Sequence, residues 1–208
     1  MRAAAEPLRV LFIGNSLTAW NDLPNLVASL AQAGGHERPV TRTIAVGGFS
    51  LEDHWNQGNA QKAITEGTWN FVVLQQGPSA LLESRRLLVD YTRRFAEIAR
   101  ASGATPALYM VWPSTSRASD FPGVSTSYRA AARAVNGRLL PAGDAWRKVL
   151  REHRDITLYS DDGLHPTLAG SYLAALVIYR DLYDSPIAGL PPLGLPEPVA
   201  RTLQAAVR

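Results

Sequence analysis

Short apolar runs alternate with longer stretches of helical periodicity along this chain. Residues 8–14, aliphatic and β-branched and closed by Gly14, predict a buried strand. Residues 40–46 predict a second strand, ending at Gly47-Gly48, and residues 70–75 a third, ending near Gly77-Pro78. Residues 106–112 predict a fourth, stopped by Pro113. A weaker fifth covers 137–141, and Pro141, which cannot donate to a ladder, assigns it to a sheet edge. Helical patterns fill the gaps at 23–32, 51–66, 84–102, 126–136, 144–153 and 167–182, with a last short helix at 199–207. Within 84–102, Leu88, Tyr91, Phe95 and Ile98 mark an apolar face, while Arg86, Arg93, Glu97 and Arg100 mark the solvated one. Leu168, Tyr172, Leu176 and Tyr179 form a similar stripe.

Strands alternating with helices at this spacing predict a parallel sheet covered on both faces, an α/β fold. The Pro/Gly-rich stretch 186–198 reads as a tail held to the surface, and no linker divides the chain, so one domain over 1–208 is expected. A hydrophobic fraction of 46% and a charged fraction of 19% supply one full core in 208 residues and exclude a chain that is mainly disordered. The net charge of +3 comes from scattered arginines, with Lys62 and Lys148 the only lysines, so nucleic acid is not an expected partner. No apolar run reaches the roughly 18 residues of a membrane helix, and no membrane span is expected. The first seven residues carry no signal-peptide pattern, as expected of a cytoplasmic protein or of a mature exported form. With no cysteine there is no thiol nucleophile, and His36, His54, His153 and His165 lack metal-ligand spacing. Neither a metal nor a cofactor is expected, because no dinucleotide or phosphate-loop motif occurs.

The ends of parallel strands are where ligands bind in open α/β sheets. Here they carry Gly14-Asn15-Ser16-Leu17, Gly47-Gly48, Gln75-Gln76-Gly77-Pro78-Ser79 and, late in the chain, Asp162-Gly163-Leu164-His165-Pro166. Each alone reads as a cap or a turn. Together they offer a hydroxyl (Ser16), an imidazole to take its proton (His165), a carboxylate to orient the ring (Asp162) and backbone donors for an oxyanion (Ser16 and Gly48). Asn15 is a candidate to hold the nucleophile loop. Trp112 either lines a substrate pocket or packs at the sheet end. His54 reads as a helix-face residue rather than a second base.

Gly14-Asn15-Ser16-Leu17, Gly48 and the Asp162-x-x-His165-Pro166 block resemble, in order and placement, the sequence blocks of the SGNH (GDSL-type) hydrolases. The resemblance spans residues 8–182. It implies a three-layer α/β/α sandwich, flavodoxin-like, whose five parallel strands run in the order 2-1-3-4-5, with Ser16 at the switch point. It also implies a serine esterase acting on a small-molecule ester. The family's third block, Gly-x-Asn-Asp, is absent; Gln76-Gly77-Pro78-Ser79 is instead similar to the Gln-Gly-x-Ser of related carbohydrate acetylesterases. That similarity points to an acetyl ester, with an acylated carbohydrate as candidate substrate. It also makes the Gln76 amide, with Gln75 as the alternative, the expected third oxyanion donor. The rival reading is an inactive SGNH-like module that binds a glycan through the same crevice.

Overall fold

Five parallel strands form the centre of the molecule, in the spatial order 2-1-3-4-5. The structure, a computed structural model, describes residues 6–207. The strands are β1 (Arg9–Gly14), β2 (Val40–Ala45), β3 (Phe71–Leu74), β4 (Thr105–Tyr109) and β5 (Arg138–Leu140). The inner ones are short aliphatic runs because both sheet faces are covered: Val10 to Ile13 and Val72 to Leu74 are all buried. The strand that ends at Pro141 is indeed an edge.

Helices α1 (Ser16–Ala19), α2 (Leu23–Ala33), α3 (Leu51–Gln57), α4 (Asn59–Glu66), α5 (Leu82–Ala101), α6 (Phe121–Ala134), α7 (Ala142–Glu152), α8 (Leu168–Tyr183) and α9 (Glu197–Val207) follow the strands. One layer groups α2, α7 and α9 around α8; the other groups α3, α4 and α6 around α5. The result is an α/β/α sandwich. Among the described residues no helix is long and apolar enough to cross a membrane.

Three local departures from the sequence pattern have clear causes. The helix expected over 51–66 breaks at Gly58, whose left-handed backbone (φ +84°) ends α3 and starts α4. Helix α6 begins at Phe121, five residues before the expected start, because Pro122 occupies a first-turn position where its missing N–H costs nothing. Helix α8 is buried nearly all round rather than along one stripe, since α2, α7, α9 and β5 enclose it. The tail before α9 is pinned by the buried Gln204 amide, which donates to Leu190 O and to Tyr172 Oη, both at 2.8 Å.

Candidate active site

The loop after β1 is built around Asn15. Its side chain caps α1 by accepting from the Leu17 N–H at 3.1 Å, and its Nδ2 donates to Phe49 O at 3.0 Å. The fully buried Gln75, one residue beyond β3, completes the cradle. Its Oε1 accepts from the Asn15 N–H (2.9 Å) and the Thr18 hydroxyl (2.8 Å), while its Nε2 donates to Asn15 Oδ1 (3.0 Å). From below, the buried His54 sits 2.7 Å from Gly14 O through Nε2, which therefore carries the proton. Burial lowers the His54 pKa, so this ring is a neutral brace of the loop that carries Ser16. Ser16 is thus presented by a loop with almost no rotational freedom left.

The second half of the site comes from the segment before α8. Asp162 Oδ1 accepts from the Leu164 and His165 N–H groups, both at 2.9 Å, forming a compact Asx-type turn. Gly163 makes that turn possible. Its φ is +68°, and a Cβ there would come within 2.4 Å of Thr115 Oγ1. Asp162 Oδ2 lies 2.5 Å from His165 Nδ1, and His165 Nε2 lies 2.9 Å from Ser16 Oγ. The hydrogen bond to His165, with the two backbone N–H bonds behind it, holds the Asp162 carboxyl down at about 2. An ionised Asp162 selects the tautomer in which Nδ1 carries the proton, leaving the Nε2 lone pair facing the Ser16 hydroxyl.

No family model matches the sequence, and no curated protein does. Solved structures do. A candidate SGNH hydrolase from Slackia heliotrinireducens is 28% identical with a TM-score of 0.74, over 85% of this chain and 100% of its own. In its fold and sequence blocks the chain resembles the SGNH hydrolases. A DUF4886 family protein from Bacteroides uniformis is 19% identical with a TM-score of 0.78, over 97% of this chain and 93% of its own. A variant of the acetyl xylan esterase Axe2 from Geobacillus stearothermophilus is 14% identical with a TM-score of 0.61, over 85% of this chain and 93% of its own. These last two carry the fold.

A cleft of about 600 Å³ opens beside Ser16. Asn15, Ser16, Gly48 and Gln76 lie in its wall. Among the described residues, neither the Ser16 nor the Gly48 N–H donates to an acceptor of the chain.

The two glutamines depart from expectation. Gln76 turns both amide hydrogens into the protein, Nε2 donating to Ser79 Oγ (2.7 Å) and Ser84 O (3.3 Å), while Oε1 accepts from the Leu51 N–H. It ties the loop after β3 to the starts of α3 and α5 and has no hydrogen left for an oxyanion. Gln75 lies outside the cleft wall, and all its polar atoms are consumed under the loop that carries Ser16. Trp112 also lies outside the cleft. It is fully buried and stacked on Trp146 at 3.5 Å, and its Nε1 donates to Leu164 O, supporting the His165 turn from behind.

Sequence reasoning missed three contributors. Tyr128, fully buried on α6, donates to Gln76 O at 2.5 Å and fixes the loop after β3. Trp20 and Asn21 lie between α1 and α2, against the His165 segment. The i, i+4 spacing of Ser16 and Trp20 was the available signal, since it puts both on one face of a turn.

Proposed function

We propose that the chain is a serine esterase with Ser16 as nucleophile, His165 as general base and acid, and Asp162 as the carboxylate that orients the ring. The observation that carries this is the unbroken line from Asp162 through His165 to Ser16 at the wall of the cleft, with spacings of 2.5 and 2.9 Å. Ser16 Oγ attacks the ester carbonyl as its proton passes to His165 Nε2. The negative charge on the carbonyl oxygen is met by the Ser16 and Gly48 N–H groups. His165 returns the proton to the leaving alcohol, and an acyl-enzyme remains. Water, deprotonated by His165, then attacks the acyl carbon and releases the acid and free Ser16.

The cleft favours an apolar acyl chain longer than acetyl. Leu17, Phe49, Leu81, Leu87, Pro113 and Leu164 supply its apolar lining. Several of its polar side chains have partners within the chain: Ser79 Oγ donates to Gly77 O, Ser84 Oγ to Leu81 O, Ser50 Oγ to Asp53, and Arg117 pairs with Asp120 at 2.6 Å. An acyl chain bound against that apolar wall would gain from burial what a sugar's hydroxyl groups would not. The Gln-Gly-x-Ser resemblance favours acetyl, and the geometry favours a medium chain.

Labelling with a fluorophosphonate tests the mechanism. A single adduct on Ser16, lost in Ser16→Ala together with hydrolysis of a nitrophenyl ester, is expected. Undiminished hydrolysis by Ser16→Ala overturns the assignment, and absence of any adduct favours a binding module.

A further inference from the structure

We propose that Trp20 is a positioning residue for His165 and that Trp20 and Asn21 together brace the histidine segment against the nucleophile helix. The proposal rests on the reading of His165 as the base. It adds a part that neither the sequence blocks nor the triad geometry contains.

The indole of Trp20 stacks on the His165 imidazole, with ring centroids 4.2 Å apart and planes 22° from parallel. Two hydrogen bonds hold the edge of that imidazole, through Nδ1 and Nε2. Neither controls the tilt of the ring, and the last side-chain torsion of histidine is a soft, broad one. Asp162, the stronger of the two tethers, has a side chain 49% exposed, so water competes for it. A flat surface against one face of the ring supplies the missing restraint. Trp20 is itself 41% exposed, so burial of the indole is only part of what this placement achieves.

The backbone behind Trp20 points the same way. Asn21 (φ 52°) and Asp22 (φ 50°) are consecutive non-glycine residues in the left-handed region. Such conformations persist only where surrounding contacts hold them, and they concentrate at functional sites. The contacts here are specific: Asn21 Nδ2 donates to Pro166 O at 3.1 Å and to Ser171 Oγ at 2.9 Å. Pro166 directly follows His165, and Ser171 lies in the first turn of α8. The turn that carries Trp20 is therefore fastened to the segment that carries the base. The brace joins elements some 145 residues apart, across the gap that the proton must cross.

The stack also acts during turnover. When His165 takes the Ser16 proton it becomes a cation, and the electron-rich face of an indole attracts a cation. That attraction is absent in the neutral resting ring, so it favours the transition state over the ground state and enters kcat rather than KM.

The test compares Trp20→Leu, Trp20→Phe, Asn21→Ala and His165→Ala with the wild type, using a short-chain nitrophenyl ester. Trp20→Leu is expected to lower kcat by about 3- to 30-fold with KM within about twofold. Trp20→Phe, which keeps a ring face, recovers most of the loss, and Asn21→Ala gives a smaller loss of the same kind. Wild-type kcat in Trp20→Leu overturns the proposal, as does an equal fall in Trp20→Phe and Trp20→Leu. A raised KM at constant kcat overturns it in favour of an indole that binds substrate directly. Wild-type kcat in Asn21→Ala removes the second half of the brace. If His165→Ala keeps full activity, the triad reading itself has failed. If His165→Ala is inactive while Trp20→Leu matches the wild type, only the brace has failed.

Discussion

Asp162 titrates near 2 in the folded chain, against an ordinary carboxylate value of 3.8. A carboxyl whose folded pKa is depressed contributes stability above its unfolded pKa, and that contribution is lost as the pH falls through the folded value. Urea-unfolding midpoints of the wild type and Asp162→Asn should therefore differ at neutral pH and converge between about pH 4 and pH 2. At neutral pH the same substitution should lower kcat by up to about 10⁴-fold, because an amide no longer selects the Nδ1–H tautomer. Gly163→Ala acts on the same turn by another route. It forces an alanine into left-handed backbone, costing about 1–2 kcal/mol, and drives its Cβ against Thr115 Oγ1. Both lower stability and slower turnover are expected, read by unfolding and by steady-state kinetics. That Ser16, Asp162 and His165 could meet was legible beforehand, since they stand in blocks whose spacing suits one loop each, and the three side chains do meet. The role of Gln76 was not legible. A glutamine at a strand end can point into the cleft or into the protein, and the start of α3, with its Leu51 N–H in need of an acceptor, settled which.

At the level of elements, a single side chain beyond β3 holds the loop that carries Ser16. Gln75 satisfies Asn15 N, Asn15 Oδ1 and Thr18 Oγ1 at once. Gln75→Leu orphans buried groups that each cost about 1–3 kcal/mol. It is expected to destabilise the fold by at least about 2 kcal/mol in urea unfolding, and to depress kcat by loosening Ser16. The strands were readable from the sequence because a buried parallel strand is a short aliphatic run. The ends of helices were less so. Gly58 was visible as a residue, yet the apolar pattern continues through it into α4, and only the positive φ shows a break. Trp112 is a comparable case. Whether a tryptophan after a strand faces solvent or core depends on the helix that meets it, and here Trp146 of α7 covers it.

For the molecule as a whole, the strand order brings the end of β1 between those of β2 and β3, so Gly48 and the loop after β3 flank Ser16 in one crevice. The cleft that results predicts a preference. Across a series of nitrophenyl esters from acetyl to octanoyl, kcat/KM should rise by up to about fourfold for each methylene that the apolar wall buries. It should then level off when the chain outgrows the cleft. A maximum at acetyl would return the substrate to the small acyl group that the Gln-Gly-x-Ser segment suggests. Leu81, 59% exposed in the wall of the cleft, is the side chain whose change to aspartate should lower activity on the longer esters most.

By itself the sequence determined the alternation of strands and helices and the identities of an alcohol, an imidazole and a carboxylate at strand-end positions. Those features are local, carried by periodicity, glycine and proline punctuation, and spacings of three or four residues. Tertiary structure decided what depends on meetings between distant segments. It set the 2.9 Å approach of His165 to Ser16, the inward turn of Gln76, the burial of Trp112 and the indole laid on the His165 ring. A side chain's partner there is chosen by packing and by the need of each buried polar group for a hydrogen bond. That choice exists only once the helices have closed on the sheet.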